Sequence, residues 1–306
     1  MKILHWLKKE KSGLFQTTVE LAKYEEKLGH IVALREPAKN ETFYGFRDDD
    51  FDIHCIHSQI NPHYYKDGKP KILFLHGEPD YGMMNKISIQ AILDMVSVID
   101  CMVSFHPDEA RMWNSFKRTY TITKGVDLEK YKEEDKGKKL KGSPAILYAE
   151  HWRTFRHPFH VFVALEKVYK KLPNMRFYPF GCPDSEKEFW KRLVRQNRYN
   201  IFTPGVFQVQ KSISDLINLC DILVSPVYPS FGRVSLEAKA CNKPVVAYNT
   251  NKHADYQCAP YNPDDMADKI LQCWEEKKNG QREYAEKNLS AEMMAKEAIE
   301  IYRRFV

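Results

Sequence analysis

The densest set of chemically useful residues runs from Ser225 to Val246, SPVYPSFGRVSLEAKACNKPVV. The spacing predicts a strand over Asp221–Ser225, a turn rich in proline, serine and glycine, and a helix from Gly232 or Arg233. The first turn of a helix has free N–H groups with positive partial charge, and such an end binds anions, phosphates above all. Gly232 lets a ligand approach the backbone closely. Glu237, near the helix start, can accept hydrogen bonds from the hydroxyls of a sugar. Asn242 tolerates the left-handed conformation and Lys243-Pro244 prevents continuation, so the helix stops there. The same residues also describe an ordinary βαβ crossover in which Glu237 only favours the helix N-terminus. Both readings stand on these residues alone.

Other candidates are more dispersed. His76 ends an apolar run and reads either as a reactive imidazole or as a structural histidine. His54 and His57 are three apart, but on a strand such a pair points to opposite faces, and no third ligand is evident, so a metal site is not expected. Arg153 and Arg156 are anion ligands or plain surface cations. Lys8, Lys9 and Lys11 form a solvated loop or the rim of a site for an anionic acceptor. The seven cysteines are scattered with no Cys-x-x-Cys pair, which suits reduced thiols rather than a disulfide frame or zinc knuckle.

The elements that must hold these residues alternate. Strands are expected at Lys2–Trp6, Ile31–Leu34, Phe51–His57, Ile72–His76, Val96–Phe105 and Tyr120–Thr123, with a helix over Phe15–Leu28 stopped by Gly29. The run Lys132–Lys141, KEEDKGKKLK, has eight charged residues and reads as a linker. The pattern then restarts. Strands are expected at Ala145–Ala149, Met175–Phe180, Asn200–Phe202, Ile222–Ser225 and Pro244–Tyr248. Helices are expected over Val161–Leu172, Glu186–Arg195, Ile213–Cys220, Gly232–Cys241, Asp264–Glu276 and Ala291–Phe305. Short alternation of this kind argues for parallel sheets with crossover helices.

With 306 residues, 43% hydrophobic and 29% charged, the chain is long enough for two cored domains and too ordinary to be disordered or fibrous. No stretch reaches the ~18 apolar residues of a membrane span, and Met1–Leu7 is too short for a signal peptide, so a soluble, cytoplasmic protein is expected. Of the net charge of +6, residues 1–141 hold +1 and the remainder +5, neither a strongly basic nucleic-acid footprint.

The block YPSFGRVSLEAKACNKPVVA resembles the signature of glycosyltransferase family 4, the large retaining family with the GT-B fold. The resemblance extends through SGLFQTTVELAKYEEKLGHIV, FDIHCIHS, ILFLHGEP, TKGVDLEKY, ILYAEHWRTFRHPFHVFVALEKV and IFTPGVFQVQKSISDLINLCDILVSP, in the family's order. It implies an α/β fold of two Rossmann-like domains facing each other across a cleft. Residues 1–137 would form the acceptor-side domain, 138–285 the nucleotide-sugar domain, and 286–306 a helix crossing back to the first. The resemblance implies a retaining hexosyl- or pentosyltransferase that carries a sugar from a nucleoside diphosphate sugar to a hydroxyl. A glycan or lipid-linked glycan, at a membrane surface in some cases, is the implied acceptor. A modified nucleic-acid base and a non-catalytic sugar-nucleotide-binding protein are the alternatives. No cofactor or metal is implied.

By the same resemblance His76 and Arg156 are catalytic: His76 lies near the donor sugar and Arg156 holds the diphosphate. Gly13, Gly205, Val206, Phe207, Phe231, Gly232, Arg233, Val234 and Glu237 bind the donor, Glu237 at its ribose. Two positions depart from the pattern. Pro229 stands where the family has its first signature glutamate. Glu150-His151 replaces a Gly-Arg pair, with Arg153 or Arg233 left to supply the missing charge.

Overall fold

The computed structural model describes residues 1–7, 13–35, 50–57, 68–76, 89–135, 137, 139–150, 156–180, 212–228 and 231–306. The chain divides into two compact units, one of residues 1–127 with 288–306 and one of residues 128–287. Each is built on a parallel sheet, as the alternation of apolar runs and amphipathic segments requires.

The first unit has a six-stranded sheet in the order β2-β1-β3-β4-β5-β6. Its strands are β1 (Lys2–Trp6), β2 (Ile31–Arg35), β3 (Ile53–Ile56), β4 (Lys71–Leu75), β5 (Cys101–Ser104) and β6 (Thr119–Thr121). Helix α1 (Gly13–Lys27) and the C-terminal helix α9 (Ala291–Tyr302) pack together on one face. They bury Leu21, Met294, Ala298 and Tyr302 against Ile3, Ile53, Ile72 and Val103. Trp6, Phe51, Leu73, Met102 and Trp113 form the core of the opposite face. The return of α9 is pinned by backbone pairing: Val126 N–H donates to the Leu289 carbonyl at 2.8 Å, and Ala291 N–H to the Val126 carbonyl at 2.9 Å. The approach is so close that a Cβ on Gly125 would lie 2.5 Å from the Ser290 carbonyl oxygen.

The second unit has a five-stranded sheet in the order β11-β10-β9-β7-β8. Its strands are β7 (Ala145–Tyr148), β8 (Arg176–Pro179), β9 (Ile222–Ser225), β10 (Val245–Tyr248) and β11 (Tyr256–Cys258). Helices α4 (Pro158–Lys171) and α7 (Pro263–Glu276) pack against each other, as do α5 (Ile213–Leu219) and α6 (Arg233–Ala240). Helix α8 (Gln281–Asn288) precedes the return to the first unit. Asn242 closes α6 with φ 57°, the left-handed turn expected of it.

Three features depart from the sequence reading. Val96–Phe105 is not one strand: helix α2 (Ile89–Val98) ends inside it and β5 starts at Cys101. Helix α3 (Pro107–Trp113), with proline in its first turn, strand β11 and helix α8 were also not anticipated. The charged run Lys132–Lys141 is held by the second unit. Asn218 accepts from Glu134 N–H and donates to the Lys132 carbonyl, each at 3.0 Å, and Leu140 N–H reaches the Leu219 carbonyl. One amide side chain thus satisfies two backbone groups of a segment too polar to bury. The unit division falls at Asp127/Leu128. The elements expected at Glu186–Arg195 and Asn200–Phe202 lie outside the described residues. Among the described residues no helix is long and apolar enough to cross a membrane.

Candidate functional site

In an open parallel sheet the strand order reverses once, and the helices on either side of the reversal lie on opposite faces. A crevice opens there at the carboxyl ends of the strands. In the second unit the reversal lies between β7 and β9. The residues just past those strand ends meet in it. Glu150 follows β7, Ser225 ends β9, and Gly232 is the N-cap of α6.

These three groups form one contact. The Ser225 hydroxyl donates to Glu150 Oε1 at 2.5 Å, and Arg156 Nη1 donates to Glu150 Oε2 at 2.9 Å. A Cβ on Gly232 would lie 1.7 Å from Glu150 Oε1. A side chain at position 232 and the carboxylate in its present place therefore exclude each other. Glu150 is only 5% exposed and Ser225 1%. The Gly-to-Glu departure noted in the sequence is thus a change of its own, beside the arginine lost at His151. It brings a negative charge to the place where the helix N-terminus attracts one. Arg156, expected as a diphosphate ligand, already has a carboxylate partner. The Tyr148 hydroxyl donates to the Arg156 carbonyl at 3.1 Å, and burial, then the charge of Glu150, pushes its pKa well up.

Helix α6 is buried along its length. Arg233 Nε donates to Glu237 Oε1 at 2.8 Å, one turn apart, and the guanidinium lies 6.0 Å from the Tyr131 ring centre. Arg233 thus stands beside Glu237. Phe231 meets His253 edge-on at 5.1 Å, and Val234 is buried. Three histidines of this unit were not singled out from sequence. His157, the left-handed N-cap of α4, stacks on His160 at 5.1 Å, and Tyr261 closes on both edge-on. Burial lowers the pKa of His157 and of His253 to about 4, helped at His253 by Lys239 and Lys252. Arg153, His151, Gly205, Val206, Phe207 and Pro229 lie outside the described residues.

In the first unit the reversal lies between β1 and β3. Gly13 opens α1 there, with no described atom within 4 Å of where a Cβ would sit. His76 follows β4 and is half-buried. It does not stand alone: His57 Nδ1 and His76 Nε2 are 3.0 Å apart, and His57 Nε2 lies 2.8 Å from His5 Nδ1. His54 instead faces Trp6, so His54 of β3 and His57 just past its end do point to opposite sides. Among the described residues no group of three or more histidine, cysteine or acidic side chains is arranged to hold a metal ion.

Residues 153–276 match the family model described as Glycosyl transferases group 1. No curated protein is similar in sequence. Several solved structures share the whole fold. Anabaena Alr3699/HepE in complex with UDP-glucose is 15% identical with TM-score 0.78, covering 99% of this chain and 100% of that one. A glycosyltransferase from Rickettsia africae is 17% identical with TM-score 0.75, covering 99% and 98%. AviGT4, a glycosyltransferase involved in avilamycin A biosynthesis, is 16% identical with TM-score 0.71, covering 100% and 98%. The chain therefore has the GT-B fold of glycosyltransferases, with the match to the glycosyl transferases group 1 model falling in its second unit.

Proposed function

We propose that the chain is a retaining glycosyltransferase of family 4. Its donor is a uridine diphosphate sugar, and its acceptor is a hydroxyl of a glycan or lipid-linked glycan. The observation that carries this reading is α6 opening at Gly232 in the strand-order reversal of the group 1 domain, with Glu237 buried one turn further on. The N–H groups of that first turn suit a diphosphate, and the Glu237 carboxylate suits the ribose hydroxyls. UDP and UDP-glucose are the ligands of the Anabaena structures of the same fold, which supports uridine as the base.

In the reaction the bond from the sugar's C1 to the β-phosphate oxygen breaks. The bond from C1 to the acceptor oxygen forms on the same face. The acceptor's proton passes to the departing phosphate. The protein's work is to stabilise the charge that develops on the leaving diphosphate, through the fixed amides that open α6, with Arg156 joining them when it exchanges Glu150 for the diphosphate. No metal is part of this reading, and a cytoplasmic setting fits the nucleotide-sugar donor. Glu150 is the one observation on the side of a non-catalytic sugar-nucleotide-binding protein, because its charge opposes a diphosphate at the helix mouth. Slow hydrolysis of UDP-sugar in the absence of acceptor separates the two, since only an enzyme cleaves its donor.

The test is Glu237→Ala with calorimetric titration of UDP. Loss of a hydrogen bond to a charged group is worth about 1.5–3 kcal/mol, so UDP affinity should fall at least ten-fold. Unchanged affinity removes the ribose role.

A further inference from the structure

The first unit contains a buried polar chain that the reaction above does not use. Tyr302 of α9 donates its hydroxyl to Glu25 Oε1 at 3.0 Å. Glu25 Oε2 lies 2.6 Å from His5 Nε2. His5 Nδ1 then meets His57 Nε2 at 2.8 Å, and His57 Nδ1 meets His76 Nε2 at 3.0 Å. Glu25, His5 and His57 are 2% exposed or less. The chain climbs sideways across three neighbouring strands. His5 pairs with Cys55, His57 is two residues past Cys55, and His76 is two past Phe74, whose neighbour Leu73 pairs with Ile56. Steps of two keep all three rings on one face of the sheet.

Neutral imidazole has one N–H and one acceptor nitrogen, so the chain has a direction. A carboxylate can only accept. Glu25 therefore requires the proton of His5 on Nε2, which leaves His5 Nδ1 an acceptor. His57 must then carry its proton on Nε2, and so must His76. The last group is His76 Nδ1, a buried nitrogen with no hydrogen-bond partner among the described residues. We propose that Glu25, acting through His5 and His57, fixes His76 Nδ1 as a hydrogen-bond acceptor for a hydroxyl of the sugar being transferred. This rests on the reading of the chain as a sugar transferase. Glu25, His5 and His57 are then positioning residues, and His76 is the group that touches the ligand.

Burial keeps the rings of His57 and His76 in the neutral form that the argument requires. Burial lowers the pKa of His57 well below the ordinary value, and the charges of His5 and His76 act the same way. Burial does so at His76 too, helped by Lys124 and His106. Phe74 stacks on His57 at 4.4 Å, and Phe105 lies 5.2 Å from His76 with the Lys124 ammonium 5.6 Å from its ring centre.

The test is nitrogen NMR of the full chain with labelled histidine, assigned by single His→Gln variants. At neutral pH the ring nitrogens of His5, His57 and His76 should all report N–H at Nε2. A proton on His76 Nδ1 overturns the proposal without any ligand being added. Glu25→Gln sharpens it. The Tyr302 hydroxyl holds the amide oxygen, the amide NH₂ turns to His5 Nε2, and every proton in the chain must move to Nδ1. His76 then offers a donor where it offered an acceptor. Unchanged tautomers in this variant overturn the proposal. Tyr302→Phe keeps the carboxylate and should leave all three tautomers in place; their reversal there is equally fatal. Uridine diphosphate glucose should shift His76 Nδ1 in the wild type where UDP alone does not, and Glu25→Gln should lower kcat about ten-fold with UDP affinity unchanged. If UDP binds and the glucose leaves His76 unmoved, the inference fails and the donor reading survives. If UDP does not bind, the donor reading fails while the tautomer result is still decided.

Discussion

The two strand-order reversals of this molecule are built on the same plan and filled with opposite chemistry. In the first unit the crevice between β1 and β3 is bordered by rings: His5, His57 and His76, linked to one buried carboxylate at the far end. In the second the crevice between β7 and β9 is bordered by charges in pairs, Glu150 with Arg156 and Arg233 with Glu237. A chain of neutral rings carries direction over a distance, because each proton fixes the next. An ion pair concentrates its energy in one contact, and breaking it leaves an uncompensated buried charge. The fold supplies a place at the strand ends, and the side chains decide what kind of group fits there.

The contrast predicts where single changes hurt most. Gly232→Ala should have the largest effect. Its Cβ falls 1.7 Å from Glu150 Oε1, so either the carboxylate leaves Ser225 and Arg156 or the helix shifts. Disrupting a buried pair of this kind costs about 3 kcal/mol or more. Urea unfolding should show that loss, and a variant within 0.5 kcal/mol, roughly the scatter of ordinary surface changes, would mean that the carboxylate does not occupy the helix mouth.

Glu150→Gln is next, and its two readouts should move apart. The amide keeps the Ser225 contact but strips Arg156 of its charge partner. Stability should fall by about 1–2 kcal/mol, as for a buried polar contact that loses its ionic part. UDP affinity should rise about ten-fold, or 1.4 kcal/mol, because a negative charge no longer opposes the diphosphate. A fall in affinity would mean that Glu150 helps to bind the donor.

How much of this was legible in the sequence differs between the two crevices. Gly232, Arg233, Glu237 and Asn242 lie within eleven residues of one helix, so their relation follows from helical geometry, and the structure keeps it. Glu150 lies 75 residues before Ser225. Nothing local connects them, and the sequence reading drew a consequence only from the arginine lost beside the carboxylate, at His151. The histidine chain was equally hidden, since β1, β3 and β4 each show one histidine near the strand end and only the parallel register aligns them. Among the elements, α2 was missed because Ile89–Val98 is mostly apolar, and the helical spacing of its polar residues, Gln90, Asp94 and Ser97, runs into a segment that reads as a strand from Val96. Helix α8, QREYAEKN, was missed for the opposite reason. Strand β11 has three residues, too short for alternation to register.

A third prediction compares the units by pH. A histidine whose folded pKa lies below its unfolded value of about 6.5 binds its proton more readily when the chain is unfolded. Its contribution to stability is complete above pH 6.5 and is lost as pH falls from there towards the folded pKa. For a fully buried ring such as His57 the slope reaches about 1.4 kcal/mol per pH unit, and His157 and His253, both near 4, add smaller amounts because they are half-buried. The urea midpoint should therefore drop between pH 6.5 and 5. Amide exchange should assign more of the loss to the first unit. A flat profile would show that these rings are not held neutral by burial.

The smallest effect belongs to Tyr302→Phe. The phenyl ring keeps its edge-on contact with Phe74 at 6.4 Å, and the hydroxyl's hydrogen bond to Glu25 is removed together with its contact to the Cys55 thiol. Glu25 Oε2 still accepts from His5. One buried hydrogen bond is worth about 1 kcal/mol, and the rest of the chain keeps its direction because the carboxylate remains. The loss should appear in urea unfolding with no change in UDP affinity. A loss as large as that of Gly232→Ala would mean that the first crevice, like the second, concentrates its energy in one contact, and the distinction between the two would fall.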